Sequence, residues 1–399
     1  MQTRKVKGFF VSLLMILMMV SLVFAVACTS STTTAATTTK AATSTSAAPA
    51  KTSATQATTT AVSASSTTSV KAIKLVAATY QNAGNPSDLA LQKWGKDFEE
   101  KTGGRYTVEV VPGGSVASIT ESYDALVGGL ADIMFFSPAM VEKPFPVISE
   151  TTNFWAGVTG DMITKAFFEN IYKKGYLASE TADFKLLTTF VGPTGDITTV
   201  NPINTLADLK GVKLANIQGA TCVELATQLG AVSVQAAPPD LYTDLQKGIV
   251  EGCFATAINI QELNTNEFVK YILPIRVSHM GHMIGMNLDT YNKMPADVKA
   301  IVDEMAQDEQ YALVAPAKWD DMYSTSLKYF LDNGGKEIEW SDADMTKVNE
   351  IAASIWQAQN AKLEAQGVPA MEVCDELYNG LKALGADTSD IAIGYTPSK

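Results

Sequence analysis

Short apolar runs alternate with amphipathic runs between residues 73 and 136. Three apolar runs have the length and flanking turn residues that are typical of strands, at 73–79, 106–111 and 132–136. After the first run, Leu91, Trp94 and Phe98 recur at the spacing of one helix face, and a second helix is predicted around 119–127. This order predicts a right-handed βαβαβ unit with a parallel sheet.

The same order recurs between residues 203 and 256. Thr205 occupies an N-cap position with Asp208 three residues later, and Gly211 closes a predicted one-turn helix. Strands are then predicted at 212–215, 231–236 and 252–255, with helices between them. This stretch predicts a second βαβαβ unit, and ligands bind at the carboxyl ends of the strands in such sheets.

The two units echo each other at identical internal spacing: Tyr123, Leu126, Gly129 and Asp132 match Tyr242, Leu245, Gly248 and Glu251. Apolar segments at 184–191 and 283–288 lead from one unit to the other and back, which predicts a hinge. Ser341 marks the predicted N-cap of a long C-terminal helix. We therefore predict an α/β, two-lobed periplasmic-binding-protein fold (type II-like) with hinge strands between the lobes and C-terminal helices. The predicted boundaries are 71–187 for lobe I, 188–283 for lobe II, and 284–399 for the return to lobe I and the helices that pack across the lobes.

The N-terminal residues predict export. A basic start, an uncharged apolar run at 9–26 and small residues before Cys28 are typical of a signal peptide over 1–27. The cysteine at the cut resembles a lipobox, so Cys28 is the predicted lipidation site; an ordinary signal peptide or a transmembrane anchor is the alternative. Residues 28–70 are mostly Thr, Ser and Ala without an aromatic or acidic residue, which predicts a disordered tether. We expect an extracytoplasmic lipoprotein anchored to the cell membrane.

Composition excludes several classes of function. The formal net charge of −12 argues against nucleic acid as a partner. The sequence has two histidines, and it has no phosphate-binding or dinucleotide-binding glycine motif, so no cofactor, no metal and no enzyme activity are predicted. A secreted α/β hydrolase with a nucleophile near Ser115 or Ser137 is the alternative from another class, and the scarcity of histidine argues against it. Cys222 and Cys253 allow either a disulfide or two buried thiols.

Two turns carry residues suited to binding, at 82–87 and 218–221, because each lies between a strand end and a helix start. Unpaired backbone N–H groups point outward there, with the positive end of the helix dipole behind them. Aromatic residues near the third strand of each unit, and in the loop at 153–157, are either pocket walls or core. The candidate ligand-binding residues are Tyr80, Asn82, Asn85, Phe136, Ser137, Trp155, Asn216, Gln218, Phe254 and Thr256.

The second unit also carries a family resemblance. It contains Thr205, the run Asp208-Leu209-Lys210-Gly211, the run Leu229-Gly230-Ala231, and Tyr242 with the run 245–252 that ends in Glu251-Gly252. In these residues the chain resembles the solute-binding subunit of TRAP (tripartite ATP-independent periplasmic) transporters, the DctP-like family. The resemblance implies a small organic solute held in an interlobe cleft and delivered to TRAP membrane subunits. An ABC-type importer or a sensor is the alternative partner.

The chain lacks the residues with which the family binds the carboxylate of its solute. The family has an Arg at the position of Ala215, often an Asn at the position of Ala255, and a further Arg upstream that has no counterpart among 192–199. Two ligand classes stay open. One is a carboxylate held by helix N-termini at Gly84-Asn85 and at 218–219, with Arg276 or Lys143 as cation; the other is a less charged polar solute that Asn216, Gln218 and Thr256 contact.

Overall fold

The computed structural model describes residues 71–155, 157–217, 219–236, 240–276, 279–387 and 395. The predicted signal peptide at 1–27, the tether at 28–70, Cys28 and Gln218 lie outside the described residues. Within the described part of the chain, we find no helix with both the length and the apolar character needed to span a membrane.

The described residues contain strands and helices in alternation. The strands are β1 Ile73–Ala78, β2 Tyr106–Val111, β3 Ile133–Phe136, β4 Phe184–Val191, β5 Asp196–Thr199, β6 Lys213–Asn216, β7 Val232–Gln235, β8 Gly252–Ala255, β9 Tyr271–Leu273, β10 Gly281–Asn287 and β11 Lys336–Glu337. The α-helices are α1 Pro86–Lys101, α2 Ser122–Val127, α3 Pro146–Glu150, α4 Gly160–Phe167, α5 Ala220–Gln228, α6 Leu241–Gln246, α7 Ala257–Glu262, α8 Leu288–Lys293, α9 Ala296–Ala306, α10 Glu309–Asp332, α11 Asp342–Ala365 and α12 Ala370–Ala383. Short 3₁₀ turns cover Pro138–Met140, Leu206–Leu209 and Thr265–Glu267, and a π turn covers Phe168–Tyr172.

The first sheet has the strand order β2-β1-β3-β10-β4. β1 pairs in parallel with β2 and with β3, whereas β10 is antiparallel to β3 and β4. The second sheet has the order β11-β9-β5-β8-β6-β7, in which β6 pairs in parallel with β7 and β8. Each βαβαβ unit therefore places its second, first and third strands side by side, which confirms the two predicted units.

The segments predicted as hinge strands, β4 and β10, pair with each other inside the first sheet. The predicted lobe boundary between residues 187 and 188 falls within β4. The chain leaves the first sheet after Val191, returns to it at Gly281, and reaches the second sheet again at β11, which follows α10.

Local signals explain where the helices begin. Asn85 caps α1 because its side chain accepts a hydrogen bond from the backbone N–H of Ser87, and Pro86 occupies the first turn. Thr205 and Asp208 form the predicted capping box of the 3₁₀ turn, and Ser341 caps α11 as predicted. The predicted face of α1, formed by Leu91, Trp94 and Phe98, is fully buried against the first sheet.

Helix α10 is one of the C-terminal helices, and none of the sequence patterns above gives its limits. It runs for 24 residues with Pro316 inside it. Trp319 packs in the core of the first sheet and Phe330 in the core of the second. Tyr323 donates a hydrogen bond to Asp196 at the start of β5, at 2.8 Å. One helix thus joins the two lobes along their length.

Candidate functional site

The carboxyl ends of β1 and β3 are joined by a chain of hydrogen bonds. The hydroxyls of Tyr80 and Ser137 lie 2.5 Å apart, and the Ser137 hydroxyl lies 2.8 Å from Nδ1 of His282 on β10. Ser137 is fully buried and Tyr80 is partly exposed. Burial raises the pKa of the Tyr80 hydroxyl and lowers the pKa of His282 to about 3, so all three groups are neutral near pH 7. The chain of neutral hydroxyls can donate to, or accept from, a ligand at Tyr80.

Asn85 makes a contact that the sequence did not predict. Its side-chain amide donates a hydrogen bond to Oε1 of Glu262 at 2.7 Å. Asn85 caps α1 in the first lobe, and Glu262 ends α7, which follows the carboxyl end of β8 in the second lobe. Burial raises the pKa of the Glu262 carboxyl, while the hydrogen bond from Asn85 opposes that rise. Asn82, in the same turn as Asn85, is exposed.

In the second lobe, the predicted residues bond to near neighbours in the chain. The Asn216 amide donates to the carbonyl oxygen of Gly219 at 2.9 Å. Thr256 caps α7 in a capping box with Asn259. Both side chains stabilise the turns that follow β6 and β8, and both are buried.

A second contact between the lobes lies at the start of α5. The Thr221 hydroxyl donates to Oε2 of Glu150 at 3.2 Å and lies 3.4 Å from the Asn153 amide. Gln359 of α11 donates to the same hydroxyl at 3.2 Å. A Cβ added to Gly219 would lie 3.4 Å from the side chain of Ala139 in the first lobe. Gly219 and Thr221, which belong to the predicted binding turn, therefore pack closely against the first lobe.

The three candidate aromatic residues lie in the core. Phe136 is fully buried, and its ring lies 5.5 Å from that of Phe145 and 5.5 Å from that of Phe184. Phe254 is also buried, and Trp155 donates its indole N–H to the Thr151 carbonyl at 2.6 Å. These contacts account for the rings by packing, and a role as ligand walls stays a prediction.

The two candidate cations have different surroundings. Lys143 forms an ion pair with Asp183 at 2.6 Å, and its ammonium lies 5.1 Å above the ring of Tyr123. Arg276 is exposed, with a φ of 50°, and lines a pocket of about 260 Å³ together with Thr194 and Tyr323. Lys143 is thus occupied within the first lobe, whereas Arg276 is accessible.

The positions of the two missing family contacts are apolar. Ala215 and Ala255 are fully buried in a cluster of small and aliphatic side chains beneath the second sheet. Cys253 belongs to the same cluster, and Cys222 and Cys253 are both buried thiols without a disulfide. His279 is buried with its ring nitrogens 2.9 and 3.0 Å from the carbonyl oxygens of Gly192 and Trp155. Among the described residues, no cluster of His, Cys, Asp and Glu could hold a metal ion.

Glu262 is the residue that sequence reasoning missed. A single glutamate at the end of a six-residue helix carries no motif, and its partner Asn85 lies 177 positions away. The one available signal was its place shortly after the carboxyl end of the third strand of the second unit.

Comparisons with known proteins agree with this architecture. Residues 77–363 match the model of the family described as bacterial extracellular solute-binding protein, family 7 (DctP). The chain is 25% identical over 256 residues to the C4-dicarboxylate-binding protein DctB of Bacillus subtilis, an alignment that covers 61% of this chain and 67% of that protein.

Solved structures show the same fold. A TRAP periplasmic solute-binding protein from Bordetella bronchiseptica with bound (R)- and (S)-mandelate superposes with a TM-score of 0.70 and 21% identity, covering 78% of this chain and 99% of that one. DctP7, an extracytoplasmic solute receptor of Bordetella pertussis that binds pyroglutamic acid, superposes with a TM-score of 0.66 and 14% identity, covering 78% and 100%. These likenesses confirm the two-lobed fold predicted from the sequence.

Proposed function

The chain belongs to bacterial extracellular solute-binding protein family 7, the DctP family, and from this membership we propose that it binds a small organic solute between its lobes and delivers it to TRAP membrane subunits. The family consists of solute-binding proteins and not of enzymes, so the alternative of a secreted hydrolase is set aside. Because family members are extracellular or periplasmic, the chain acts outside the cytoplasm.

One observation supports the interlobe site most directly. The carboxyl ends of β1 and β3 in the first lobe meet the helix that follows β8 in the second lobe, where Asn85 contacts Glu262 at 2.7 Å. Tyr80 and Ser137 lie on the same edge of the first sheet. Polar groups from both lobes thus converge at the place where open α/β sheets bind ligands.

The solute class follows from the relatives and from the lost arginines together. Relatives bind C4-dicarboxylates, mandelate and pyroglutamic acid, which favours a small organic acid. The buried Ala215 and Ala255 offer no charged group to a second carboxylate. We therefore propose a small organic acid with one carboxylate at most, or a polar solute of similar size, held mainly by hydroxyl, amide and backbone groups.

The solute can be identified with the protein itself. Native mass spectrometry of the mature chain is expected to show a copurified organic molecule of low mass. Adding that molecule to stripped protein should raise the melting temperature with increasing concentration and reduce the radius of gyration, because a ligand that contacts both lobes stabilises the closed state. Tight binding with an unchanged scattering profile would contradict the interlobe site.

Lipid anchoring is a further part of the proposal. The basic start, the apolar run at 9–26 and the small residues before Cys28 support it. Mass spectrometry of the wild-type mature N-terminus should find a diacylated cysteine at position 28, and Cys28→Ser should release the protein or leave the signal uncleaved. A mature N-terminus at another residue would contradict the anchor but not the binding function.

The partner can be tested by uptake. Cells that produce the chain together with the two membrane subunits of a TRAP permease should accumulate the identified solute, and cells that lack the permease should not. Uptake through an ABC-type importer in place of the TRAP subunits would support the alternative partner.

A further inference from the structure

Glu262 places a carboxylate at the contact between the two lobes. Its carboxylate lies where α7 ends, and the hydrogen bond from Asn85 holds it against the turn that follows β1. The site is therefore assembled only when both lobes are present, since one partner comes from each.

The local structure fixes which atoms meet. The side-chain oxygen of Asn85 accepts the backbone N–H of Ser87 at 3.3 Å, as the cap of α1 requires. This cap leaves the amide N–H₂ group to face Glu262, so Asn85 presents a donor and not an acceptor. The Glu262 carboxylate is thus a hydrogen-bond acceptor, and it can accept more hydrogen bonds than the one that Asn85 donates.

The charge of Glu262 is not matched by a cation in the described part of the chain, where none of the ion pairs includes it. Burial raises the pKa of the Tyr80 hydroxyl, and the negative charge of Glu262 raises it further. The neutral Tyr80 hydroxyl therefore lies close enough to Glu262 to be affected by its charge. The contact between the two lobes therefore holds the partly buried carboxylate of Glu262 beside two neutral donors, Asn85 and the hydroxyl of Tyr80. A ligand carboxylate placed there would meet a like charge.

We propose that Glu262 determines the specificity of the cleft, and that the bound solute presents a hydroxyl, amide or ammonium donor to it. This inference rests on the proposed function and names the group that the solute carries in addition to any carboxylate. A donor on the solute satisfies Glu262 beside Asn85, whereas a solute without one leaves the carboxylate partly desolvated and short of partners.

The test uses two matched pairs of probes that differ in one donor. The first pair is mandelate and phenylacetate, which differ by a hydroxyl; the second is pyroglutamate and its N-methyl derivative, which differ by the lactam N–H. Isothermal titration of the full mature chain should show the donor-bearing member of at least one pair binding about tenfold more tightly or better, as expected for a hydrogen bond to a charged acceptor.

Two variants assign the preference to Glu262. Glu262→Gln keeps an acceptor oxygen and removes the charge, so the preference should shrink, and the binding of the member without a donor should strengthen. Glu262→Ala removes the acceptor, and the two members of each pair should then bind within about threefold of each other. Equal melting temperatures of the three proteins without ligand would show that the variants are folded, and Glu262→Gln serves alone if Glu262→Ala does not fold.

Each outcome decides a different claim. Equal affinities within both pairs in the wild type, or a preference that survives in Glu262→Gln and Glu262→Ala unchanged, would overturn the role of Glu262 and leave the proposed function standing. Failure of all four probes to bind any of the proteins would overturn the organic-acid premise and this inference with it.

Discussion

The polar residues at the strand ends reach over different distances in the two lobes. In the first lobe, Tyr80 and Asn85 bond to Ser137 and Glu262, which lie 57 and 177 positions away in the chain. In the second lobe, Asn216 and Thr256 each bond to a residue three positions away, while Thr221 bonds to Glu150, 71 positions away. Two units with the same strand order thus use their polar ends differently: Tyr80 and Asn85 of the first unit bond over long distances in the chain, whereas the second unit combines bonds within its own turns with a long-range bond at Thr221. Each contact between the lobes therefore needs a residue from both: Asn85 meets Glu262, and Glu150 meets Thr221.

The largest effect is expected at the buried third strands, where removing an aromatic ring should destabilise either lobe. Phe136→Ala and Phe254→Ala should each lower the free energy of unfolding by about 3–5 kcal/mol, because each removes a fully buried ring. The loss should be larger for Phe136, which also has ring contacts to Tyr123, Phe145 and Phe184. Urea denaturation measures both, with Leu130→Ala as the control because Leu130 is 70% exposed. A change below 1 kcal/mol at Phe254 would show that its ring is not core.

The next largest effect concerns two buried acids, one in each lobe. Burial raises the pKa of Asp196 and of Glu180 to about 7. Because these values lie above those of the unfolded chain, near 4, the native state holds more protons between about pH 4 and 7, and stability falls as the pH rises through that window. Asp196→Asn keeps the acceptor for Tyr323 and should remove up to about 4 kcal/mol of that fall.

Glu180→Gln is the matched variant in the first lobe, where the carboxylate accepts the backbone N–H of Val147. Glu180→Gln should likewise reduce the fall in stability between about pH 4 and 7. Urea denaturation at a series of pH values measures both variants against the wild type. A wild-type and a variant profile that run parallel from pH 4 to 8 would show that the acid does not titrate in that range.

The next prediction tests the long-range hydrogen bond between Asn85 and Glu262. Asn85→Asp retains a good N-cap but sets a carboxylate against Glu262. We expect a loss of about 1.5–3 kcal/mol in unfolding free energy and a larger radius of gyration for the ligand-free protein. Combining Asn85→Asp with Glu262→Gln exchanges donor and acceptor, and both quantities should recover.

The matched control is Asn82→Asp, which adds the same charge at an exposed position of the same turn. It should change neither stability nor scattering. If the double variant Asn85→Asp with Glu262→Gln fails to recover either quantity, the contact does not join the lobes as described.

The smallest effect is expected on the local side of the comparison. Thr256→Ala removes the cap of α7 and should cost about 1 kcal/mol, while Thr256→Ser should restore most of it. The scattering profile should not change, since the capping box lies within one lobe. A larger radius of gyration for Thr256→Ala would show that the cap of α7 also supports contacts between the lobes.

Much of the fold could be predicted from short stretches of sequence. Strand limits such as 106–111, 184–191 and 252–255, and the caps at Thr205 and Ser341, follow from turn residues and periodicity that act over a few positions. The limits of helix α10 were not predicted, and its contacts with the cores of both lobes are set by the tertiary structure. The sequence also identified Asn85 and Thr256 as polar residues at strand ends, without showing which of them bonds locally.

The sequence by itself thus determined the two βαβαβ units, their order and the family to which the chain belongs. Only the tertiary structure decided the partners of the polar side chains: Glu262 became the partner of Asn85, and Ala215 became part of the core. The physical reason is that helix and strand signals are local, whereas the partner of a buried polar group is whatever the fold brings within 3 Å of it. A residue without a motif, such as Glu262, can therefore form a contact between the lobes that no local pattern predicts.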